Sequence, residues 1–422
     1  MSKWPKRSLL LSSLTALIAA CTNHSPVNSH AEPKFADVHF HAANYAYQGV
    51  SLRTLIDKYM SAGIARSVVM PLPLQQRWDS FENYEATHGG SVYGANYYIG
   101  SKADLYYYAF ADAMYAKEFQ SLPADDKEKI DLMITGFNPM DRYAPHHIKR
   151  ALLTFPGVFT GIGEFTVHKE IVSSKVAGET IRDTAAGELP PDLDTKGTMS
   201  LHAKSLMDIL NFAGESGLVT LLHNDIYPVE VTYDGAVIAV HPDNDYTDSL
   251  IKLCEAYPTA RVVWGHTGLG RYVKPARNHL LLVTNVLTKC HNWSVDISWD
   301  LIQDYIINPG PDMPSTQAWI GFLTHYSSRV LWGSDSVIYG RNKFDNPGQV
   351  TPGDLLTTEQ YMEVPALMNS IFEQLPNEAA NNIRYGNYKR MFDAARRKVR
   401  AWEALHVNDD VWNLPMPTAS QM

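Results

Sequence analysis

Asp37-Val38-His39-Phe40-His41 lies in a short apolar run that begins at Phe35. If this run is a β-strand, residues two apart share a face, so the imidazoles of His39 and His41 point the same way. Neutral imidazole is the commonest protein ligand for divalent metal ions, and two on one rigid strand begin such a site. A lone His-x-His pair is a weak signal, so its meaning depends on the other strands.

This run is the first of eight short apolar segments that alternate with helical patterns, which is typical of βα units around a parallel sheet. We predict strands near residues 35–40, 66–71, 130–137, 158–164, 218–223, 260–266, 292–297 and 329–334. Helices are predicted near 51–62, 104–120, 145–154, 201–216, 245–257, 274–289, 315–326 and 358–373. The pattern favours an α/β fold, a (β/α)8 TIM barrel.

The surplus length follows strands 2, 4 and 5, at about 72–129, 165–199 and 225–245, so we expect three insertions at the carboxyl-terminal rim. The first insertion is rich in tyrosine, which we interpret as a helix packing its rings on the barrel, with a substrate lid as the alternative. The third contains Tyr233-Asp234-Gly235 between β-prone runs, which predicts a hairpin.

The composition of the 422 residues, 45% hydrophobic and 19% charged, is that of a globular protein. The formal net charge is −9, and no basic stripe is visible. Because binding to a phosphate backbone requires clustered cations, we expect no nucleic acid partner. A small-molecule substrate is the expected partner, and the oligomeric state stays open.

The first 20 residues have a basic start and a short apolar core, Leu9 to Ala20, which is too brief to span a bilayer. They end in Ile18-Ala19-Ala20-Cys21, which resembles the lipobox of bacterial lipoproteins. That resemblance implies lipidation of Cys21 and a membrane anchor, and Thr22 at the next position favours the outer membrane facing the periplasm. An ordinary secretory signal with a chance cysteine is the alternative.

We therefore divide the chain into a signal peptide (1–20), a flexible tether (21–34), the barrel domain (35–402) and a C-terminal tail (403–422). Cys254 and Cys290 are the remaining cysteines, and an oxidising periplasm would allow them to pair. The sequence does not give their geometry, and two separate buried thiols are the favoured interpretation.

Four more predicted strands end in ionisable residues. The fourth closes on Gly161-Ile162-Gly163-Glu164, the fifth stops at His223, the sixth at His266, and Asp335 comes just after the eighth. Each residue alone has an ordinary explanation, such as a rim salt bridge, a core histidine or a helix cap. Five strands delivering such groups to one end of a barrel is an improbable coincidence and indicates an active site.

The order His-x-His, Glu, His, His, Asp resembles the amidohydrolase superfamily, and the Gly265-His266-Thr267-Gly268 and Gly333-Ser334-Asp335 contexts resemble its amidohydrolase-related branch (amidohydrolase family 2). The resemblance covers roughly residues 35–400. It implies one or two divalent metal ions, with zinc the leading candidate. His39, His41 and His223 would hold the ion, with Asp335 as ligand and catalytic proton acceptor.

His266 would bind a second ion, or hold the attacking water and the substrate oxygen. In the commonest pattern of this superfamily a carbamylated lysine stands on strand 4; here Glu164 takes that place, as a metal ligand or as a substrate contact. Further candidates lie after strands 3, 4 and 6. Asn138, Lys169 and Arg271 are predicted to contact substrate, the two cations through a substrate carboxylate.

Three functions follow from these residues. A metal-dependent hydrolase of a small amide, ester or lactone is the leading one, because a bound ion activates water for attack on a carbonyl. A non-hydrolytic, metal-dependent decarboxylase of the same fold is the second. A non-enzymatic surface lipoprotein that keeps the barrel for binding is the third.

Overall fold

The computed structural model describes residues 35–43, 49–71, 106–139, 141–168, 200–231, 238–240, 245–270, 273–338 and 356–414. The predicted signal peptide, the lipidation site Cys21 and the tether lie outside these residues. The chain divides into Met1–Glu32 and a compact unit, Pro33–Met422, that contains every element described below.

The described residues form a nine-stranded, wholly parallel sheet and a separate two-stranded ribbon. Along the sheet the order is β10-β9-β8-β5-β4-β3-β2-β1-β11. The strands, in chain order, are β1 Phe35–Ala43, β2 Ile64–Pro71, β3 Ile130–Ile134, β4 Phe159–Thr166, β5 Val219–His223, β6 Val229–Val231, β7 Ile238–Val240, β8 Arg261–Trp264, β9 Trp293–Asp296, β10 Val330–Leu331 and β11 Ser336–Val337.

The two edge strands, β10 and β11, belong to one continuous segment, and this segment closes the sheet into a ring. At its start, the Ile297 N–H donates to Leu331 O (3.0 Å), which joins the segment to β9. Further along, the Val38 N–H donates to Trp332 O (3.2 Å) and the Ile338 N–H to His41 O (3.0 Å), which joins it to β1. The predicted (β/α)8 barrel is thereby confirmed.

Helices follow the barrel strands and cover the outside of the ring. The first begins at Leu52, after Ser51, whose side chain caps it by accepting the Thr54 N–H, and continues as a π turn (Leu55–Tyr59) and a 3-10 turn (Met60–Ala62). The α-helices are Leu52–Thr54, Tyr106–Ser121, Ala124–Lys127, Ala144–Thr154, Lys204–Ser216, Thr247–Ala256, His279–Lys289, Asp300–Ile307, Thr316–His325, Thr358–Phe372, Asn377–Asn381 and Asn387–His406. Four of these helices were not predicted from the sequence: Ala124–Lys127, Asp300–Ile307, Asn377–Asn381 and Asn387–His406.

The barrel interior is filled by small and aliphatic side chains of the strands, and the helix Asn387–His406 packs Tyr388, Phe392 and Ala395 against them. Below this layer, Asp131 accepts hydrogen bonds from Tyr388 (2.8 Å) and from the guanidinium groups of Arg66 and Arg396 (2.7 Å each). The helix ends at His406, beyond the predicted start of the tail at residue 403.

Two β-bulges re-aim side chains at the carboxyl-terminal end of the barrel. The pairing of β1 with β2 shifts register between Asp37 and Phe40, which breaks the usual alternation of side chains. Val38 and His39 therefore both face the barrel interior, with His39 nearer the carboxyl-terminal end. The pairing of β4 with β5 shifts between Gly163 and Phe165, which makes Glu164 the extra residue. Both bulges coincide with predicted metal ligands.

Cys254 and Cys290 form a disulfide with a Cα–Cα distance of 5.5 Å. The interpretation as two separate thiols was therefore wrong, because the ends of two neighbouring helices bring the cysteines within bonding distance. Among the described residues no helix combines the length and apolar character needed to cross a bilayer.

Parts of two predicted insertions are described. β6 and β7 pair antiparallel, as expected for the predicted hairpin, whose turn at 233–235 lies outside the described residues. In the first insertion Tyr115, on the helix Tyr106–Ser121, is buried and donates its hydroxyl proton to Ala42 O (2.9 Å). This tyrosine packs on the barrel, as favoured. Residues 72–105 and 169–199 lie outside the described part.

Gly163 tests how tightly β4 and β5 pack at the second bulge. A Cβ at Gly163 would lie 2.2 Å from Leu221 O, whereas one at Gly157, which also has positive φ, would meet nothing within 4 Å. Gly157→Ala should cost about 1–3 kcal/mol from backbone conformation alone. Gly163→Ala should lower the free energy of unfolding by about 1–3 kcal/mol more than Gly157→Ala does, because β4 and β5 would have to move apart. Urea unfolding measures both, and equal losses would contradict the packing argument.

Asp112 predicts a pH dependence of stability. Its Oδ2 accepts the N–H groups of Thr135 (3.0 Å) and Gly136 (2.7 Å), and burial raises its pKa from 3.8 to about 7. Between these two values the folded protein binds the proton and the unfolded chain does not, so this residue's contribution to stability falls as pH rises and is constant above about pH 7. Asp112→Asn removes the titration.

The unfolding free energy of Asp112→Asn relative to wild type should therefore rise between pH 4 and 7, by at most about 4 kcal/mol. Chemical unfolding at a series of pH values measures it. A difference that stays flat across this range would show that Asp112 is ionised in the folded protein.

Candidate metal centre

Six ionisable side chains converge at the carboxyl-terminal mouth of the barrel: His39 and His41 on β1, Glu164 on β4, His223 at the end of β5, His266 after β8 and Asp335 after β10. Their ligand atoms form three groups, each with all atoms within 4.8 Å of one another: His39–His266–Asp335, His39–His41–Glu164 and Glu164–His223–His266. All are buried except Asp335, whose side chain is 16% exposed. The residues predicted as ligands do meet.

Glu164 faces three imidazoles. Its Oε2 lies 3.5 Å from His39 Nε2 and 3.4 Å from His41 Nε2, and its Oε1 lies 2.8 Å from His223 Nδ1. One carboxylate thus presents a different oxygen to each side of the site. Both oxygens would therefore be available to a metal ion.

Asp335 closes the site from the opposite side. Its Oδ1 lies 3.4 Å from His39 Nε2 and 3.1 Å from His41 Nε2, and its Oδ2 lies 3.6 Å from His266 Nε2. The backbone holds it there, because the Asp335 N–H donates to His39 O (2.8 Å). Its φ of 49° is in the left-handed region, which a non-glycine residue adopts only when its surroundings impose it.

The space among His39, His41, Glu164 and Asp335 fits a divalent cation. His39 Nε2 is buried and, within the described part of the chain, has no hydrogen-bond partner. The imidazole-to-carboxylate separations around it are 3.1–3.5 Å. Ligand atoms bound to one zinc-sized ion at tetrahedral positions lie about 3.4 Å apart, so the two imidazoles need little movement to share an ion with either carboxylate.

The charges of the site demand a cation. Burial disfavours imidazolium, yet Asp335, Asp296 and Glu164 raise the pKa of His39 well above its usual value, and Asp335 and Glu164 raise that of His41. Conversely, although burial opposes it, His39, His41 and His266 lower the pKa of Asp335 to about 2. Without a metal, protons on the imidazoles neutralise the carboxylates; a divalent ion would take that role.

His266 differs from its neighbours because burial lowers its pKa to about 4, so its imidazole is neutral near pH 7. Its ring stacks on that of His39 at 4.9 Å, with an interplanar angle of 22°. A neutral ring at this position suits either a metal ligand or a hydrogen-bond acceptor for water.

Three buried residues that support the site were not recognised as such in the sequence. Asp225 Oδ1 lies 3.0 Å from His223 Nε2, and Ser298 Oγ lies 2.8 Å from His266 Nδ1. Asp37 accepts the His39 N–H (3.0 Å) and the Ser334 hydroxyl (2.6 Å). Asp37 and Asp225 stand two residues from a predicted ligand, a spacing that would have drawn attention to them.

The remaining predicted site residues are less well defined. Asn138 follows β3 and is partly buried, whereas Lys169, Arg271 and Cys21 lie outside the described residues. Trp299, after β9, is half-buried with its ring 5.6 Å from that of His266.

Solved structures align with most of this chain at low identity. An amidohydrolase from Burkholderia multivorans with bound zinc is 11% identical, with a TM-score of 0.45, over 85% of this chain and 99% of that one. A dihydroorotase from Saccharomyces cerevisiae is 12% identical, with a TM-score of 0.44, over 86% and 84%. A dihydroxybenzoic acid decarboxylase from Polaromonas with bound manganese is 11% identical, with a TM-score of 0.45, over 85% and 97%.

No protein-family model matches the sequence, and no curated protein is similar to it. The aligned structures are members of the amidohydrolase superfamily. Because their identities and TM-scores are this low, the barrel assignment rests on the strand order and ring closure of the chain itself.

Proposed function

We propose that this protein is a metal-dependent hydrolase that acts on a small amide, ester or lactone. The observation that carries the proposal is that His39, His41, Glu164 and Asp335 meet at the carboxyl-terminal mouth of the barrel. They surround His39 Nε2, a buried atom with no hydrogen-bond partner among the described residues. Enzymes of this architecture place their active sites at that end. A closed structural zinc site would not need so many ionisable neighbours.

His39, His41, His223, Glu164 and Asp335 would hold the ion. A divalent ion bound there supplies Lewis acidity and lowers the pKa of water. The primary site is the one around His39 Nε2, where the groups His39–His41–Glu164 and His39–His266–Asp335 meet. The second oxygen of Glu164 faces His223 and belongs to the group Glu164–His223–His266, which would admit a second ion. Zinc is our first choice, since mixed imidazole and carboxylate ligands suit it.

Asp335 is the proposed general base. Among the six residues it is the one whose side chain reaches the opening, and its low pKa keeps it ionised and able to accept a proton at neutral pH. It would return this proton to the leaving group. His266, neutral and 3.6 Å from Asp335 Oδ2, would accept a hydrogen bond from the attacking water through Nε2.

The proposal predicts that chelation abolishes hydrolysis and that added metal restores it. Asp335→Asn should fold and should lower turnover about 10²–10⁴-fold, the range for loss of a general base. Asp312→Asn, whose side chain is 88% exposed, is the matched control and should be fully active. Hydrolysis of a panel of esters, lactones and amides, with metal content per chain, measures these effects; full activity in Asp335→Asn would exclude the proton role.

The same assays separate the alternatives. A metal content near two per chain would make Glu164 a bridging ligand, and a content near one would free it for a substrate contact. Release of carbon dioxide without incorporation of solvent oxygen would replace the hydrolase proposal with a decarboxylase. Protein that contains no metal and whose stability is unchanged by chelators would support the non-enzymatic lipoprotein.

We also propose that the protein is a lipid-anchored protein of the bacterial cell envelope, attached through Cys21. The disulfide between Cys254 and Cys290 supports this, because disulfides persist mainly in oxidising compartments such as the periplasm.

Cys21→Ser should move the protein from the membrane fraction to the soluble periplasmic fraction, since the acyl chains provide the anchor. Detergent-phase partitioning measures this, and Cys254→Ser, which should stay in the membrane fraction, is the control. Membrane association of Cys21→Ser would exclude lipidation at this residue.

A further inference from the structure

Asp296, the last residue of β9, is completely buried and contacts two of the proposed metal-site histidines. Its Oδ2 lies 3.2 Å from His39 Nδ1. Its Oδ1 accepts the backbone N–H of His266 (2.8 Å) and both the N–H and the hydroxyl of Ser298 (3.1 and 2.7 Å). Because Asp296 is fully buried and both its oxygens are bonded within the protein, it is not placed to touch substrate.

The donor and acceptor of each bond follow from the chemistry of the groups. An ionised carboxylate only accepts, so His39 Nδ1 must carry the proton it shares with Asp296. Ser298 has one hydroxyl proton, and it goes to Asp296. Its Oγ, 2.8 Å from His266 Nδ1, must therefore accept, which places a proton on His266 Nδ1 as well.

With Nδ1 protonated in both rings, Nε2 is the atom through which each could bind a metal: His266 Nε2 already has a free lone pair, and a bound metal would displace the second proton of His39 from Nε2. His39 Nε2 faces Asp335 Oδ1 at 3.4 Å, and His266 Nε2 faces Asp335 Oδ2 at 3.6 Å. The two rings stack at 4.9 Å, so the position of one constrains the other. A single buried carboxylate thereby controls two imidazoles.

We infer that Asp296, together with Ser298, is a positioning residue that fixes the tautomer and orientation of His39 and His266 for a divalent cation. The inference rests on the proposed metal-dependent function and adds the groups that prepare the site for its ion. Hydrogen-bonded carboxylates behind histidine ligands typically contribute 10–100-fold in metal affinity.

The experiment measures binding of Zn²⁺ by competition with a chromogenic chelator, and the visible absorption of bound Co²⁺, in purified full-length protein. The variants are Asp296→Asn, which replaces one acceptor oxygen by a donor amide, and Ser298→Ala. The second variant removes the hydroxyl that lies 2.8 Å from His266 Nδ1 and 3.2 Å from His39 Nδ1 but keeps the Asp296 carboxylate. Asp112→Asn is the matched control, because Asp112 is equally buried at the same end of the barrel but bonds to backbone N–H groups.

We expect Asp296→Asn to weaken Zn²⁺ binding about 10–100-fold and to change the Co²⁺ spectrum. Ser298→Ala should have a smaller effect in the same direction, and Asp112→Asn should bind as wild type does. Wild-type affinity and spectrum in both Asp296→Asn and Ser298→Ala would overturn the inference and leave the proposed function intact. Failure of the wild-type protein to bind either metal would overturn both.

A measurement on the wild-type protein covers the case in which Asp296→Asn does not fold. In zinc-loaded protein with ¹⁵N-labelled histidine rings, His39 should carry its proton on Nδ1 and be metallated through Nε2, with His39→Gln used to assign the signal. Metallation through Nδ1 would overturn the inference, because that atom is the one we assign to Asp296.

Discussion

The closure of the barrel between β1 and the segment Val330–Val337 is the constraint on which the site depends. The Val38 N–H donates to Trp332 O and the Asp335 N–H donates to His39 O. These bonds fix the register between β1 and the segment, and therefore how far each extends along the barrel axis. Asp37 strengthens this contact between β1 and the segment, since its carboxylate accepts hydrogen bonds from both the N–H and the hydroxyl of Ser334. Because these bonds are mainly backbone to backbone, the distance from Asp335 to the β1 histidines is set by the fold.

The second constraint is charge. Glu164 and Asp335 are carboxylates in a site from which water is largely excluded, and an isolated buried charge is very unfavourable. The imidazoles of His39 and His41 neutralise them in the metal-free protein, and a divalent ion would do so with fewer protons bound. The same groups that would make the chemistry possible therefore make the folded state depend on a bound proton or metal.

The sequence predicted the eight barrel strands well, because parallel strands are covered on both faces and read as continuous apolar runs. It could not predict the bulges at Val38–His39 and Glu164, which depend on pairing with the neighbouring strand. Nor could it predict that Asp296 contacts His39 from behind, since that depends on which way a side chain turns at the end of a strand.

The missed helices and disulfide have similar causes. The helix Asn387–His406 is rich in arginine and lysine, so its apolar stripe of Tyr388, Phe392 and Ala395 is narrow. That stripe is nonetheless enough to fill one end of the barrel. Cys254 and Cys290 are 36 residues apart, and only the packing of their two helices brings them together. In each case the decisive contact joins elements that are distant in the chain.

The two ends of the barrel are built for different tasks. At the amino-terminal end, Asp131 is bonded to Tyr388, Arg66 and Arg396, and the last helix packs against the strands. At the other end lie all four non-glycine residues of the described chain that have positive φ, namely His266, Thr267, Trp299 and Asp335. Such conformations cost about 1–3 kcal/mol each and persist only where the rest of the structure imposes them. The last helix, packed against the amino-terminal end, and the ring of parallel strands make the barrel rigid. This rigidity holds the strained residues at the other end in place, where they would surround a cation.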